Sequence, residues 1–225
     1  MRATLLLIIS LAVSINAKAG NDIRELWIRM PDTMTAYIDS LTKREMINFY
    51  DNNVGFASAN FFGSNTWIDT ISNGYMSVNM SETMTMQIRV LTKTDSTQVI
   101  CMVRTYSPND AVTDGAENNA TDGESDIAFF TNKWQALDST FGLPLCNNED
   151  SLLSQLTYCP DTMTQKRYSE LKAMIDPVML VARLSADDET ITLTLSTPLL
   201  RKDDSDEAKS IIVSRKLKWD GLTFK

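Results

Sequence analysis

Met84-Thr85-Met86-Gln87-Ile88-Arg89-Val90 alternates apolar and polar side chains without a break. A period of two belongs to an extended strand with one face toward a core and the other toward water; a helical stripe does not repeat that way. Met76, Val78 and Met80 alternate just before this stretch, and Gln98 to Tyr106 follows as a second β-rich run behind the polar turn Lys93-Thr94-Asp95-Ser96. Asn73-Gly74 is a two-residue hairpin signal, because the tightest hairpin turns need positive φ angles that Asn and Gly tolerate. It joins a strand at Trp67 to Thr70 with one at Tyr75 to Met80. An antiparallel meander is therefore expected, continued by Ser125 to Phe130 and Trp134 to Leu137. The Asn-, Asp- and Gly-rich segment from Ser107 to Glu124 reads as a long mobile loop between them.

Two short helices are expected ahead of the meander. Met34, Tyr37, Ile38 and Leu41 fall at helical spacing, and Thr42-Lys43-Arg44-Glu45 has the form of a capping box for a second helix running to Tyr50. Phe56 to Gly63 fits a strand or a loop equally well. Downstream, Ser139 to Cys159 reads as connector, and Ser169 to Ile175 as a helix stopped by Asp176-Pro177. Val178 to Leu184 and Thr190 to Leu195 read as a paired hairpin. Asp203 to Ile212 reads as a helix whose acidic first turn suits the helix dipole, and the alternation from Val213 to Trp219 as a closing strand. Short helices beside segregated antiparallel strands make an α+β architecture, a meander with a few short helices packed on one side. Residues 20–145 form its N-terminal part and residues 146–225 a smaller α+β part packed on the first. Pro160-Asp161-Thr162-Met163-Thr164 repeats Pro31-Asp32-Thr33-Met34-Thr35 word for word, which adds two structurally related halves to the expectation.

Composition narrows the function. The chain of 225 residues carries a net charge of −8, so neither nucleic acid nor an anionic membrane is an expected partner. It contains no histidine, which removes Ser-His and Cys-His nucleophile pairs, imidazole acid–base chemistry and zinc sites with a His ligand. Arg2, the apolar run from Leu5 to Ile15 and Ala17-Lys18-Ala19 have the three-part form of a secretory signal peptide over residues 1–19. Cleavage near Ala19 and a periplasmic or otherwise exported location follow. The apolar run is too short to span a bilayer, and no second long one exists, so no membrane insertion is expected.

Few residues carry assignable chemistry. Cys146 and Cys159 stand 13 residues apart in an exported chain, and a disulfide closing that loop would contribute on the order of 3 kcal/mol. Cys101, between Ile100 and Met102, reads as a buried inert thiol. Asp122-Gly123 and Asp114-Gly115 fail as calcium loops, because Ala120 and Val112 occupy ligand positions. The carboxylates of Asp187, Asp188 and Glu189 and of Asp203, Asp204, Asp206 and Glu207 fall at a hairpin tip and a helix start, ordinary exposed places for acids. No phosphate-cradling loop or serine-nucleophile motif appears. No catalytic, cofactor-binding or metal-ligating residue is therefore assigned, and no cofactor is expected. The twelve methionines read as adaptable core fillers, or as the lining of a greasy pocket.

Several of these stretches resemble a family of exported Bacteroidales proteins known only as domain of unknown function 3256. They are Leu26-Trp27-Ile28-Arg29-Met30-Pro31-Asp32, Met46-Ile47-Asn48-Phe49, Gly74-Tyr75-Met76-Ser77-Val78, Ile100-Cys101-Met102-Val103, Phe129-Phe130-Thr131-Asn132-Lys133-Trp134, and Lys218-Trp219 to Phe224. The resemblance covers nearly the whole chain and implies no activity or cofactor. It does imply a setting in which Asp-Ser/Thr followed by a small or aliphatic residue is commonly O-glycosylated, which makes Thr33, Ser151 and Thr162 candidate acceptors.

The resulting expectation is a non-enzymatic exported module that binds an unidentified protein or envelope component through a sheet face or the 107–124 loop, with Trp67, Trp134 or Trp219 as solvent-facing aromatics. A carboxylate-dependent hydrolase-like enzyme and a carrier of an apolar ligand are the alternatives.

Overall fold

Gly74 adopts φ 72°, and the Asn73-Gly74 turn closes the hairpin between β2 (Asn65–Ser72) and β3 (Tyr75–Ser81). In the computed structural model, residues 22–35, 38–55, 57–60, 63–107, 123–144 and 149–225 are described. With β1 (Ser58–Ala59), β4 (Met84–Thr92), β5 (Gln98–Tyr106), β6 (Glu124–Thr131) and β7 (Ala136–Leu137), these strands form a seven-stranded antiparallel sheet in sequence order. The expected α+β meander is present. β4 and β5 pair along their whole length, from Met84 opposite Tyr106 to Thr92 opposite Gln98. A second, three-stranded antiparallel sheet runs in the order β10 (Arg215–Lys218), β9 (Thr190–Ser196), β8 (Met179–Leu184). The helices are α1 (Ile23–Arg29), α2 (Ser40–Asp51), α3 (Glu149–Leu156), α4 (Gln165–Met174) and α5 (Lys202–Lys209).

The strict alternation sorts the core into two halves. Met76, Val78, Met86, Ile88, Ile100 and Met102 lie on one face of the large sheet, packed with Leu26 and Trp27 of α1 and Met46 and Ile47 of α2. Tyr75, Leu91, Val99, Cys101, Val103 and Phe129 lie on the other face. They share a core with Leu180, Ala182, Leu184, Ile191 and Leu193 of the small sheet and with Leu156, Leu171 and Ala208 of α3, α4 and α5. The large sheet is thus covered on both sides. Its polar residues on the second face tie the two sheets together: Ser125 Oγ accepts the Ala182 N–H at 3.0 Å, and Ser72 Oγ donates to the Ala186 carbonyl at 2.7 Å.

Several local expectations are corrected. Asp39, not Thr42, caps α2, because its carboxylate accepts the Thr42 N–H at 2.8 Å and places Thr42 inside the first turn. The first short helix is Ile23–Arg29. The Met34 and Thr35 N–H groups return to the carbonyls of Pro31 and Asp32, which makes a turn where a helix was expected. The expected connector from Ser139 to Cys159 contains α3, a two-turn helix held by burial of Leu153 and Leu156 and not by propensity. Trp134 and Trp219 do not face solvent: they are 7% and 4% exposed, with Nε1 donating to the carbonyls of Leu26 and Thr92. The two Pro-Asp-Thr-Met words close the same turn, Met34 N–H to Pro31 O and Met163 N–H to Pro160 O, both at 2.9 Å. Each turn stands between two helices, α1 and α2 in one case and α3 and α4 in the other. Residues 108–122, most of the expected loop, lie outside the described residues.

Candidate functional site

The residues that connect β2 to β3, β4 to β5 and β6 to β7 gather at one end of the large sheet. The β4–β5 turn is held by the Lys93 N–H on Thr97 O at 2.8 Å and by Asp95 Oδ1 accepting the Thr97 N–H at 2.9 Å. Against these turns stand the start of α1 on one side and the tip of the β8–β9 hairpin on the other. Between them lies a cleft of about 1300 Å³ lined by Asp22, Ile23, Arg24, Ser72, Asn73, Gly74, Arg89, Val90, Thr92, Lys93, Ser96, Thr97, Gln98, Val99, Thr131, Asn132, Leu137 and Glu189. Hydroxyl and amide groups dominate that lining, and cations stand among them.

Most of its charges are already engaged. Asp22 caps α1 by accepting the Arg24 N–H at 3.1 Å. Arg24 presents Nε and Nη2 side-on to Asp51, at 3.1 and 2.6 Å, a bidentate geometry that keeps the Asp51 carboxyl below its ordinary range. Glu189 accepts the Thr92 N–H at 3.1 Å, and its carbonyl accepts the Trp219 N–H at 2.8 Å. These bonds weld the hairpin tip to the end of β4.

Arg89 is different. Only 6% of it is exposed, and its Nη1 donates to the carbonyls of Ser185 at 3.3 Å and Ala186 at 3.2 Å. Its buried Nε has no hydrogen-bond partner among the described residues. Burial lowers the affinity of the guanidinium for its proton, and the carboxylates of Glu189, Asp188 and Asp187 oppose that effect.

Few of the sequence-selected residues meet this cleft. Of those acidic residues, Glu189 lines it; Asp188 accepts the Thr190 hydroxyl, and Glu207 of α5 pairs with Arg167 of α4. Thr33 and Thr162 are exposed in their turns, whereas Ser151 is half-buried in α3 with Oγ accepting from Gln155 Nε2 at 3.0 Å. Cys146 lies outside the described residues. Cys159 is half-buried as a free thiol, with Sγ 3.7 Å from the Met163 carbonyl. Cys101 is fully buried, and desolvation pushes its thiol pKa far up. Met76, Met80, Met86 and Met102 pack in the core under α1 and α2. Among the described residues no cluster of cysteine and carboxylate side chains is placed to hold a metal ion, and no helix is long and apolar enough to cross a membrane. The cleft residues Arg89 and Lys93 were missed by the reading of the sequence. The signal at Arg89 was a cation inside an apolar alternating strand.

Residues 12–224 match the model of a family described as "Protein of unknown function (DUF3256)". A solved structure, of a domain of an uncharacterized protein from Porphyromonas gingivalis W83, is similar with a TM-score of 0.63 and 15% sequence identity, over 90% of this chain and 96% of that one. At that identity the likeness is one of fold. No curated protein matches the chain.

Proposed function

Because the chain belongs to the DUF3256 family of proteins of unknown function, we propose its role from its own geometry: a non-enzymatic binding module, exported from the cytoplasm, that engages a protein or envelope component through the turn-end cleft. The observation that carries this reading is the covering of the large sheet. One face lies under α1 and α2 and the other under the small sheet with α3, α4 and α5, so the sheet face expected as a docking surface is replaced by the cleft at its end. That cleft is polar, wide and edged by exposed turns, the form of a site for an extended polar partner. Its two carboxylates, Asp22 and Glu189, are occupied as a helix cap and as the acceptor of the Thr92 N–H, which favours a structural role for them over acid–base work. Export rests on the signal-like pattern of residues 1–19.

The reading is tested by photo-crosslinking in the native host. A photoreactive residue replacing exposed Thr97 or Asn132 on the cleft rim should trap a discrete partner, whereas one replacing Lys166, exposed on α4, should not. Equal trapping from the rim and from α4, or none from the rim, would overturn it.

A further inference from the structure

The two arginines of the cleft differ in one respect. Arg24 uses its Nε and Nη2 edge to hold the Asp51 carboxylate side-on, while the same edge of Arg89 has no acceptor. Among the described residues Arg89 Nη1 is taken by two carbonyls, the buried Nε is unpartnered, and Nη2, which makes no hydrogen bond and is not closed off, is its opening to the cleft. Carbonyl bonds orient a guanidinium without neutralising it, and a cation 94% withdrawn from water (6% exposed) is costly unless an anion completes its shell. The nearby carboxylates of Glu189, Asp188 and Asp187 act on it only through space, because Arg89 makes no ion pair among the described residues. Lys93, on the same wall, makes no ion pair among the described residues.

We propose that the cleft recognises a carboxylate-bearing ligand, one oxygen of which is held by the open Nη2 of Arg89, with Lys93 as the second cation. This rests on the cleft being the binding site and adds the chemistry that it selects. A charge-assisted bond from a guanidinium to a carboxylate is stronger than a neutral one, and the amides of Asn73 and Asn132, which also line the cleft, suit a polar remainder.

The test is an NMR titration of the full chain with glutarate, its neutral diamide and inorganic phosphate, reading the Arg89 Nε–H and the Gly74 and Thr92 amides. Glutarate should give saturable shifts weakened by salt, and the diamide none. Lys93→Gln should weaken glutarate binding about tenfold at an unchanged thermal midpoint. Arg89→Lys, which keeps the charge but removes Nη2, should abolish saturation. If that variant does not fold, Lys93→Gln alone decides. No saturable glutarate shift, or an equal response to the diamide, would overturn the proposal, and tighter binding of phosphate than of glutarate would overturn the carboxylate assignment. A chain that cross-links a partner from Thr97 yet ignores glutarate sinks this inference while leaving the binding module intact.

Discussion

Gln87 Oε1 accepts the backbone N–H of Leu184 at 2.9 Å, so the small sheet hangs on the large one by a side chain where a strand ladder would otherwise be needed. β8 is the outer strand of its sheet, and an uncovered edge must satisfy its N–H groups or expose them. Gln87→Leu should leave the Leu184 N–H, on a residue 3% exposed, without an acceptor and cost about 1–3 kcal/mol in chemical denaturation. Ser125→Ala acts on the same strand through Ala182, so the double variant should be non-additive. An unchanged denaturation midpoint for Gln87→Leu would show that apolar contact alone joins the sheets.

A buried cation fixes the first turn of the chain. Lys43 is 0% exposed, and its Nζ donates to Met30 O at 2.7 Å and to Asp32 Oδ1 at 3.1 Å. It also lies 5.9 Å from the Trp27 ring centroid. Lys43→Met should orphan the Met30 carbonyl and cost about 1–3 kcal/mol. Asp32→Asn, at an exposed carboxylate that leaves an acceptor in place, should cost under about 1 kcal/mol. The reverse order in urea denaturation would show that the ion pair, and not the carbonyl bond, holds the turn.

The meander was legible because period two and Asn73-Gly74 speak for themselves. The second face of the sheet was not, for a physical reason: Ser72, Gln87, Arg89 and Ser125 are polar whether they meet water or another strand's backbone. They read as a wet face and turn out to seat the small sheet. Thr42 has the capping-box pattern, yet Asp39, three residues upstream, caps α2, because only the backbone decides which side chain reaches an open N–H. α3 was invisible because its stability comes from tertiary burial of Leu153 and Leu156. The cleft is assembled from Asp22, Asn73, Arg89, Lys93, Asn132 and Glu189, residues scattered along the chain, so no contiguous motif could announce it.

Acid should loosen the C-terminal turn within a narrow window. Lys225 pairs with the Asp220 carboxylate, which also accepts the Thr223 and Leu222 N–H groups at 2.8 and 2.9 Å, and the carboxyl pKa is held down to about 2. A carboxyl whose pKa is depressed on folding stabilises above its unfolded value, near 3.9, and loses that contribution as pH falls through the folded value. The gap in thermal midpoint between wild type and Asp220→Asn should therefore be present at neutral pH and close between about pH 4 and pH 2. A gap that persists unchanged at pH 2 would assign the effect to the turn's hydrogen bonds alone.

The cysteines should react unequally. Cys101 is 0% exposed with a thiol pKa pushed up by desolvation, while Cys159 is half-buried and faces the Pro160 and Met163 carbonyls. The thiolate is the nucleophile, so iodoacetamide on the native, reduced protein should label Cys159 and spare Cys101. A bridge between Cys146 and Cys159 in the exported protein predicts that protein recovered from the native host, denatured without reductant, shows one free thiol of its three cysteines. Three free thiols would remove the bridge.

The three candidate glycan acceptors are no longer equivalent. O-glycosylation of a folded protein needs a hydroxyl that an enzyme can reach on a turn or loop, and Thr33 and Thr162 are exposed on matching turns closed by Pro31 and Pro160. Ser151 sits in the first turn of α3, half-buried, with its oxygen already accepting from Gln155. Protein isolated from the native host should therefore carry glycan at Thr33 and Thr162, and Thr33→Val with Thr162→Val should return the intact mass to that of the bare processed polypeptide. Because both side chains point into solvent, the same pair of substitutions should move stability by no more than about 0.5 kcal/mol. A bare mass for the wild-type chain would end the glycan reading, and glycan found at Ser151 alone would mean that modification precedes the folding of α3.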